Sequence, residues 1–130
     1  MSNNQQMVML IDDNIIDLTI SSKLIQFSKL FDEIIVFQSG DEALNYIKTN
    51  LKQPNLLPRF ILLDIQMPEM DGFEFLNYYK KLPTSFTDKC QIAMLSSTLD
   101  FGDINKAEAN HYVVKLLRKP LSTTELQKLL

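Results

Sequence analysis

Short runs of apolar residues recur along the chain, and between them apolar residues return every three or four positions. Met7–Ile11 is apolar throughout, as is Phe60–Leu63. Unbroken runs of this length mark strands buried on both faces of a parallel sheet. Ile34–Phe37 reads as a short β-branched strand and Gln91–Leu95 as a fourth. The fifth lies within Val113–Leu117, with the strand expected in the later half.

The spacing between the strands predicts helices. The first runs from Asn14 to about Phe31, with Ile20, Leu24, Phe27 and Phe31 on its inward face. The second opens at a Ser39–Glu42 capping box, turns Leu44, Ile47 and Leu51 inward, and is ended by Pro54 and Pro58. A third follows Asp71-Gly72, where Asp71 and Glu74 form a capping box, and carries Phe75, Leu76, Tyr79 and Leu82 inward until Pro83 stops it. A weaker helix covers about Asp103 to Asn110, supported by Ile104 and Ala107. A short last one starts at the Ser122–Glu125 capping box and uses Leu126, Leu129 and Leu130. The order is βαβαβαβαβα, which predicts a parallel α/β sheet with helices on both faces and right-handed crossovers. One domain over residues 1–130 is expected, with residues 1–6 as a disordered or flexible tail.

Composition narrows the function classes. The chain has 130 residues, 45% hydrophobic and 22% charged, with a net charge of -3, which suits a globular fold. It has no basic stripe, so direct nucleic-acid binding is not expected. The absence of a membrane-length apolar run and of a signal peptide in MSNNQQ predicts a cytoplasmic protein without membrane contact. Cys90 is the single cysteine and reads as a small buried residue rather than a nucleophile. With only Gly40, Gly72 and Gly102, no phosphate-cradling glycine loop exists and nucleotide hydrolysis is disfavoured.

Candidate chemistry gathers at the strand ends. Asp12-Asp13 follows the first strand, Asp64 the third, Ser96 the fourth and Lys119 the fifth. Ligands of open α/β sheets bind outside the carboxyl ends of the strands, where a parallel sheet would collect all of these. Taken singly, each has a plain explanation: Asp12-Asp13 as a helix cap, Ser96 as part of a polar turn, Lys119 as a surface lysine, Asp71 as a cap, Met67 and Met70 as packing, His111 as a loop residue. Together, three carboxylates in one pocket require a raised pKa or a cation. Hard oxygen donors without His or Cys favour Mg²⁺. A metal, a fixed cation, a hydroxyl and a carboxylate nucleophile are the parts of phosphoryl transfer.

With these residues in view, the chain resembles the receiver domains of two-component response regulators over nearly its whole length. The resemblance is carried by Asp12-Asp13, by LLDIQMPEMDG around Asp64, by Ser96 and by Lys119-Pro120. It implies a flavodoxin-like (βα)5 sandwich with strand order 2-1-3-4-5. It implies Asp64 as phosphoacceptor, and Mg²⁺ held by Asp13, Asp64 and the Gln66 main-chain carbonyl, with Asp12 acting through a bound water. Lys119 would pair with Asp64 and then with the phosphoryl group, Ser96 would swing toward it, and the bond to Pro120 would be cis. Gln66 and Thr98 stand where the family tunes phosphoryl lifetime.

Leu116 departs from the family, which often carries an aromatic switch residue there. The expectation is that signal leaves instead through the loop after Ser96 and the helix near Ile104. The last helix ends with the chain, so no output domain is expected. The implied partners are a sensor histidine kinase or a histidine phosphotransfer protein, and a downstream protein target. The chain would be a monomer or a phosphorylation-dependent dimer, and catalyse only its own phosphorylation and dephosphorylation. Two other classes compete: a receiver-like interaction module independent of phosphorylation, and an aspartyl phosphatase, which would need an acidic residue where Gln66 stands.

Overall fold

The structure is a computed structural model and describes residues 6–130. Five parallel strands form one sheet: β1 (Met7–Ile11), β2 (Glu33–Phe37), β3 (Phe60–Asp64), β4 (Gln91–Ser96) and β5 (Val113–Arg118). Their order is β2-β1-β3-β4-β5, the flavodoxin-like arrangement expected from the alternation of strands and helices. The helices are α1 (Ile15–Ser28), α2 (Gly40–Thr49), α3 (Gly72–Tyr79), α4 (Thr84–Thr87), α5 (Phe101–Ala109) and α6 (Thr123–Leu129), with a 3-10 turn at Pro54–Leu56.

Alternation along the strands divides the core between the two sheet faces. Met9, Ile11, Ile61, Leu63, Ile92 and Met94 pack against Leu44 and Ile47 of α2, Phe75 and Tyr79 of α3, and Ala107 of α5. Val8, Leu10, Phe60, Leu62 and Leu95 pack against Leu18 and Ile25 of α1 and Leu126 of α6. All five residues of β1 and of β3 are buried, so these two strands are the rigid centre of the molecule.

Several boundaries and one helix face differ from expectation. α1 stops at Ser28 because Lys29 takes a left-handed conformation, φ 58°, and donates its N–H back to Ile25. Phe31 therefore lies beyond the helix. The buried face of α1 is Leu18 and Ile25, whereas Ile20 and Phe27 are 46% and 84% exposed. The helix carries isoleucines around much of its circumference, so spacing alone did not single out the side that meets the sheet. α3 ends at Tyr79 rather than near Leu82, and Pro83 opens the extra turn α4 instead of merely ending a helix. α5 begins at Phe101, capped by Asp100, two residues earlier than expected. β5 occupies the whole of its segment, with a register shift that leaves Val114 outside the pairing with β4. Of the three expected capping boxes, Asp71–Glu74 closes in both directions, at 2.9 and 3.2 Å. At Ser39 and Ser122 the side chain accepts the helix N–H, but no return bond to the cap backbone forms.

The expectation of a flexible tail falls mostly on residues outside those described. Gln6 is described, and its backbone is tied to the Asp32 side chain and to the N–H groups of Asp32 and Glu33. No helix among the described residues is long and apolar enough to cross a membrane.

Candidate functional site

The carboxyl ends of β1, β3, β4 and β5 meet at one edge of the sheet. Asp64 is the last residue of β3 and Ser96 the last of β4, so each is held by ladder pairing as well as by its loop. Asp12 follows β1 directly, and its N–H donates to the Phe37 carbonyl at the end of β2. Lys119 follows β5, with its N–H donating to the Ser96 carbonyl at 2.8 Å and a cis peptide to Pro120.

The loop after Asp64 folds back tightly. The Gly72 N–H donates to the Ile65 carbonyl at 2.8 Å, and a Cβ at Gly72 would stand 2.7 Å from the Asp64 carbonyl oxygen. Any side chain there would push the loop off the strand end, which is why the Asp71-Gly72 pair matters for Asp64. Asp71 itself serves as the α3 cap, while Met67 is buried and Met70 packs on the core.

One carboxylate oxygen from each of Asp12, Asp13 and Asp64 lies within 4.8 Å of the other two. Asp12 and Asp64 are buried and Asp13 is exposed, giving a cluster open to solvent on one side. The donors are all hard oxygens, and a cluster of this size and charge fits a hexacoordinate divalent cation that keeps some of its waters. Burial pushes the Asp64 carboxyl up to about 7; Asp12 adds to that push and Lys119 opposes it.

The Lys119 ammonium stands among three carboxylates: Asp12 Oδ2 at 2.7 Å, Asp17 Oδ2 at 2.9 Å and Asp64 Oδ1 at 3.3 Å. Burial pulls the lysine pKa down, but Asp12, Asp17 and Asp64 together outweigh it and hold it above its ordinary value. Lys119 and Asp64 are thus neighbours, yet the shortest contacts of the lysine are to the other two. Asp17 was not singled out in the sequence. Its position four residues after Asp13, in the first turn of a helix leaving the site, was the available signal.

Ser96 and Gln66 are occupied elsewhere. The fully buried Ser96 hydroxyl donates to the Thr98 carbonyl and accepts the Thr98 N–H at 3.2 Å, so it is turned into its own loop. Gln66 Nε2 donates to Thr98 Oγ1 at 3.0 Å, and Ser97 Oγ donates to Gln66 Oε1 at 3.4 Å. These bonds tie the loop after β3 to the loop after β4. Leu116 pairs with Met94 and packs, half-buried, on the α5 side of the sheet. His111 is exposed in a turn and Cys90 is buried away from the cluster, its thiol pushed up to about 12 by burial.

The family model for the response regulator receiver domain matches residues 8–130. A crystal structure of a response regulator receiver protein from Dyadobacter fermentans is 34% identical, covers 95% of this chain and 94% of its own, and superposes with a TM-score of 0.86. A two-component response regulator from Cytophaga hutchinsonii is 31% identical over 98% of this chain and 95% of its own, with a TM-score of 0.90. An uncharacterized response regulatory protein of Staphylococcus epidermidis is 35% identical over 100 residues, which is 77% of this chain and 35% of that protein. The chain thus spans about a third of the length of that relative.

Proposed function

The chain belongs to the response regulator receiver domain family of two-component systems, and from that premise we propose that it accepts a phosphoryl group on Asp64 in a Mg²⁺-dependent reaction. The observation that carries this reading is Asp64 at a buried strand end, inside a metal-sized carboxylate cluster and 3.3 Å from the Lys119 ammonium. The donor is a phosphohistidine on a sensor kinase or a histidine phosphotransfer protein, and the acceptor state changes the binding of a downstream protein. Residues 1–130 act as one receiver unit in the cytoplasm.

An Asp64 carboxylate oxygen forms a new bond to phosphorus while the donor N–P bond breaks, and the imidazole leaves with the electron pair and takes a proton from solvent. The Asp12, Asp13 and Asp64 carboxylates and the Gln66 carbonyl would hold Mg²⁺, which supplies positive charge to the phosphoryl oxygens. Lys119 supplies a second, fixed positive charge from the β5 side. Ser96 must give up its loop hydrogen bonds to reach a phosphoryl oxygen, so phosphorylation and a change in the Ser96–Thr98 loop are one event. Leu116 supplies no aromatic ring to follow that change, which leaves the loop and the start of α5 as the moving parts.

The competing reading, an interaction module that does not use the phosphoryl chemistry, is disfavoured by the assembled carboxylates and lysine. Incubation with Mg²⁺ and a small acyl phosphate tests the proposal. A single phosphoryl mass adduct is expected, and none on Asp64→Asn. An adduct that persists at full yield in that variant removes Asp64 from the role. Failure of the native chain both to label and to bind Mg²⁺ favours the interaction module.

A further inference from the structure

Of the three carboxylates around Lys119, Asp17 is the one to which the phosphoryl reading assigns no task. It lies outside the metal-sized trio of Asp12, Asp13 and Asp64. Asp12 is used on both oxygens, one accepting the Asn14 N–H at 2.9 Å and the other meeting Lys119. Asp12 and Asp64 are therefore contested: a divalent cation and the Lys119 ammonium must share them, and the two positive charges repel. Among the described residues, Asp17 pairs its carboxylate with Lys119 and with no other side chain. Its backbone is fixed in the first turn of α1, where the Asn14 side chain accepts its N–H at 3.1 Å.

We propose that Asp17 is a positioning residue for Lys119, anchoring the ammonium on the α1 side of the site so that it stays beside Asp64 when Asp12 and Asp64 turn to a cation. This rests on the phosphoacceptor reading and extends it. The lysine follows an edge strand and its stem is long and flexible, so the backbone alone does not hold its ammonium in place. An ammonium has three N–H donors. Asp12 and Asp17 engage it at 2.7 and 2.9 Å, and Asp64 stands at a looser 3.3 Å. Charge-assisted bonds of this kind close to about 2.7–2.9 Å. The Asp64 contact thus has slack, and Asp17 maintains it. Without Asp17, a cation at Asp12 and Asp64 repels an ammonium that no third carboxylate holds, and Lys119 swings away from Asp64.

Asp17 also lies near the positive end of the α1 dipole, so a loss of helix stability must be separated from a loss of lysine placement. Two measurements do this. The first is the ¹⁵N ammonium signal of Lys119 in metal-free protein. It should shift or vanish in Asp17→Asn and return in Asp17→Glu; an unchanged signal in Asp17→Asn overturns the proposal. The second is a double-mutant cycle on the maximal labelling rate with a small acyl phosphate at saturating Mg²⁺. Asp17→Asn should slow labelling about tenfold when Lys119 is present and less than about twofold in a Lys119→Met background. Equal slowing in both backgrounds shows that Asp17 does not act through the lysine and overturns the proposal. If the native chain takes no label at all, the phosphoacceptor reading falls, while the ammonium signal still decides whether Asp17 holds Lys119.

Discussion

β3 and β5 both deliver a candidate functional side chain to the same edge of the sheet, and they do so by different means. β3 is central, paired on both sides and buried at every residue. Asp64 is part of that strand, and a short side chain on a rigid backbone has little freedom. β5 is an edge strand with Val114, Lys115 and Arg118 exposed and a register shift against β4. Lys119 lies one residue past its end, on a long side chain, and three ion pairs place its ammonium. Asp64, the proposed nucleophile, is positioned by packing and the Lys119 ammonium by charge. The first should resist salt and respond to cavities, and the second should do the reverse.

The largest expected effect separates the two strands by truncation. Leu63→Ala, at a fully buried β3 position, should cost about 2–5 kcal/mol in denaturant unfolding. Val114→Ala, 43% exposed on β5, should stay within about 0.5 kcal/mol. Comparable losses at the two positions would end the contrast. Next in size is Lys119→Met, which should slow acyl-phosphate labelling roughly 10–100-fold while the fold is retained by circular dichroism.

A pH effect of similar or smaller size tests the burial of Asp64. Its carboxyl is raised from 3.8 to about 7 in the folded chain, so folding favours the protonated form. Its contribution to stability is fully present below about pH 4 and lost as pH rises through 7. In metal-free protein, Asp64→Asn should therefore raise the unfolding free energy by roughly 1–3 kcal/mol at pH 8 and by almost nothing at pH 4. A gain that is constant with pH would mean that the carboxylate is not strained by its surroundings. A small loss is also expected on the edge side: Ser122→Ala at the α6 cap should cost about 0.5–1 kcal/mol, read as a small drop in Tm.

The parts of the molecule that were legible in the sequence share a physical cause. β1 and β3 are legible because a strand buried on both faces is apolar until its end, so that Asp12 just past β1 and Asp64 at the tip of β3 stand out as the first breaks. The Asp71–Glu74 cap was legible because both partners lie within one turn. The inward face of α1 is only half legible: Leu24 and Phe31 pack against the core while Ile20 and Phe27 face out, because Ile15, Ile16, Ile20 and Ile25 offer more than one apolar stripe and only the neighbouring sheet selects Leu18 and Ile25. α4 is not legible from spacing, because a proline can close one helix or open the next, and only the fold shows Pro83 opening a turn.

The chain alone determined the alternation of strands and helices, hence a parallel sheet, and with it the gathering of Asp12, Asp13, Asp64 and Lys119 at one edge. These follow from local rules of burial and chirality that need no knowledge of distant contacts. Tertiary structure decided where the lysine ammonium rests. Asp17 and Lys119 are 102 residues apart, and the helix and the loop that carry them meet only once the sheet has assembled. A charge on a flexible stem is placed by whichever opposite charges surround it, and those are known only after the chain has folded.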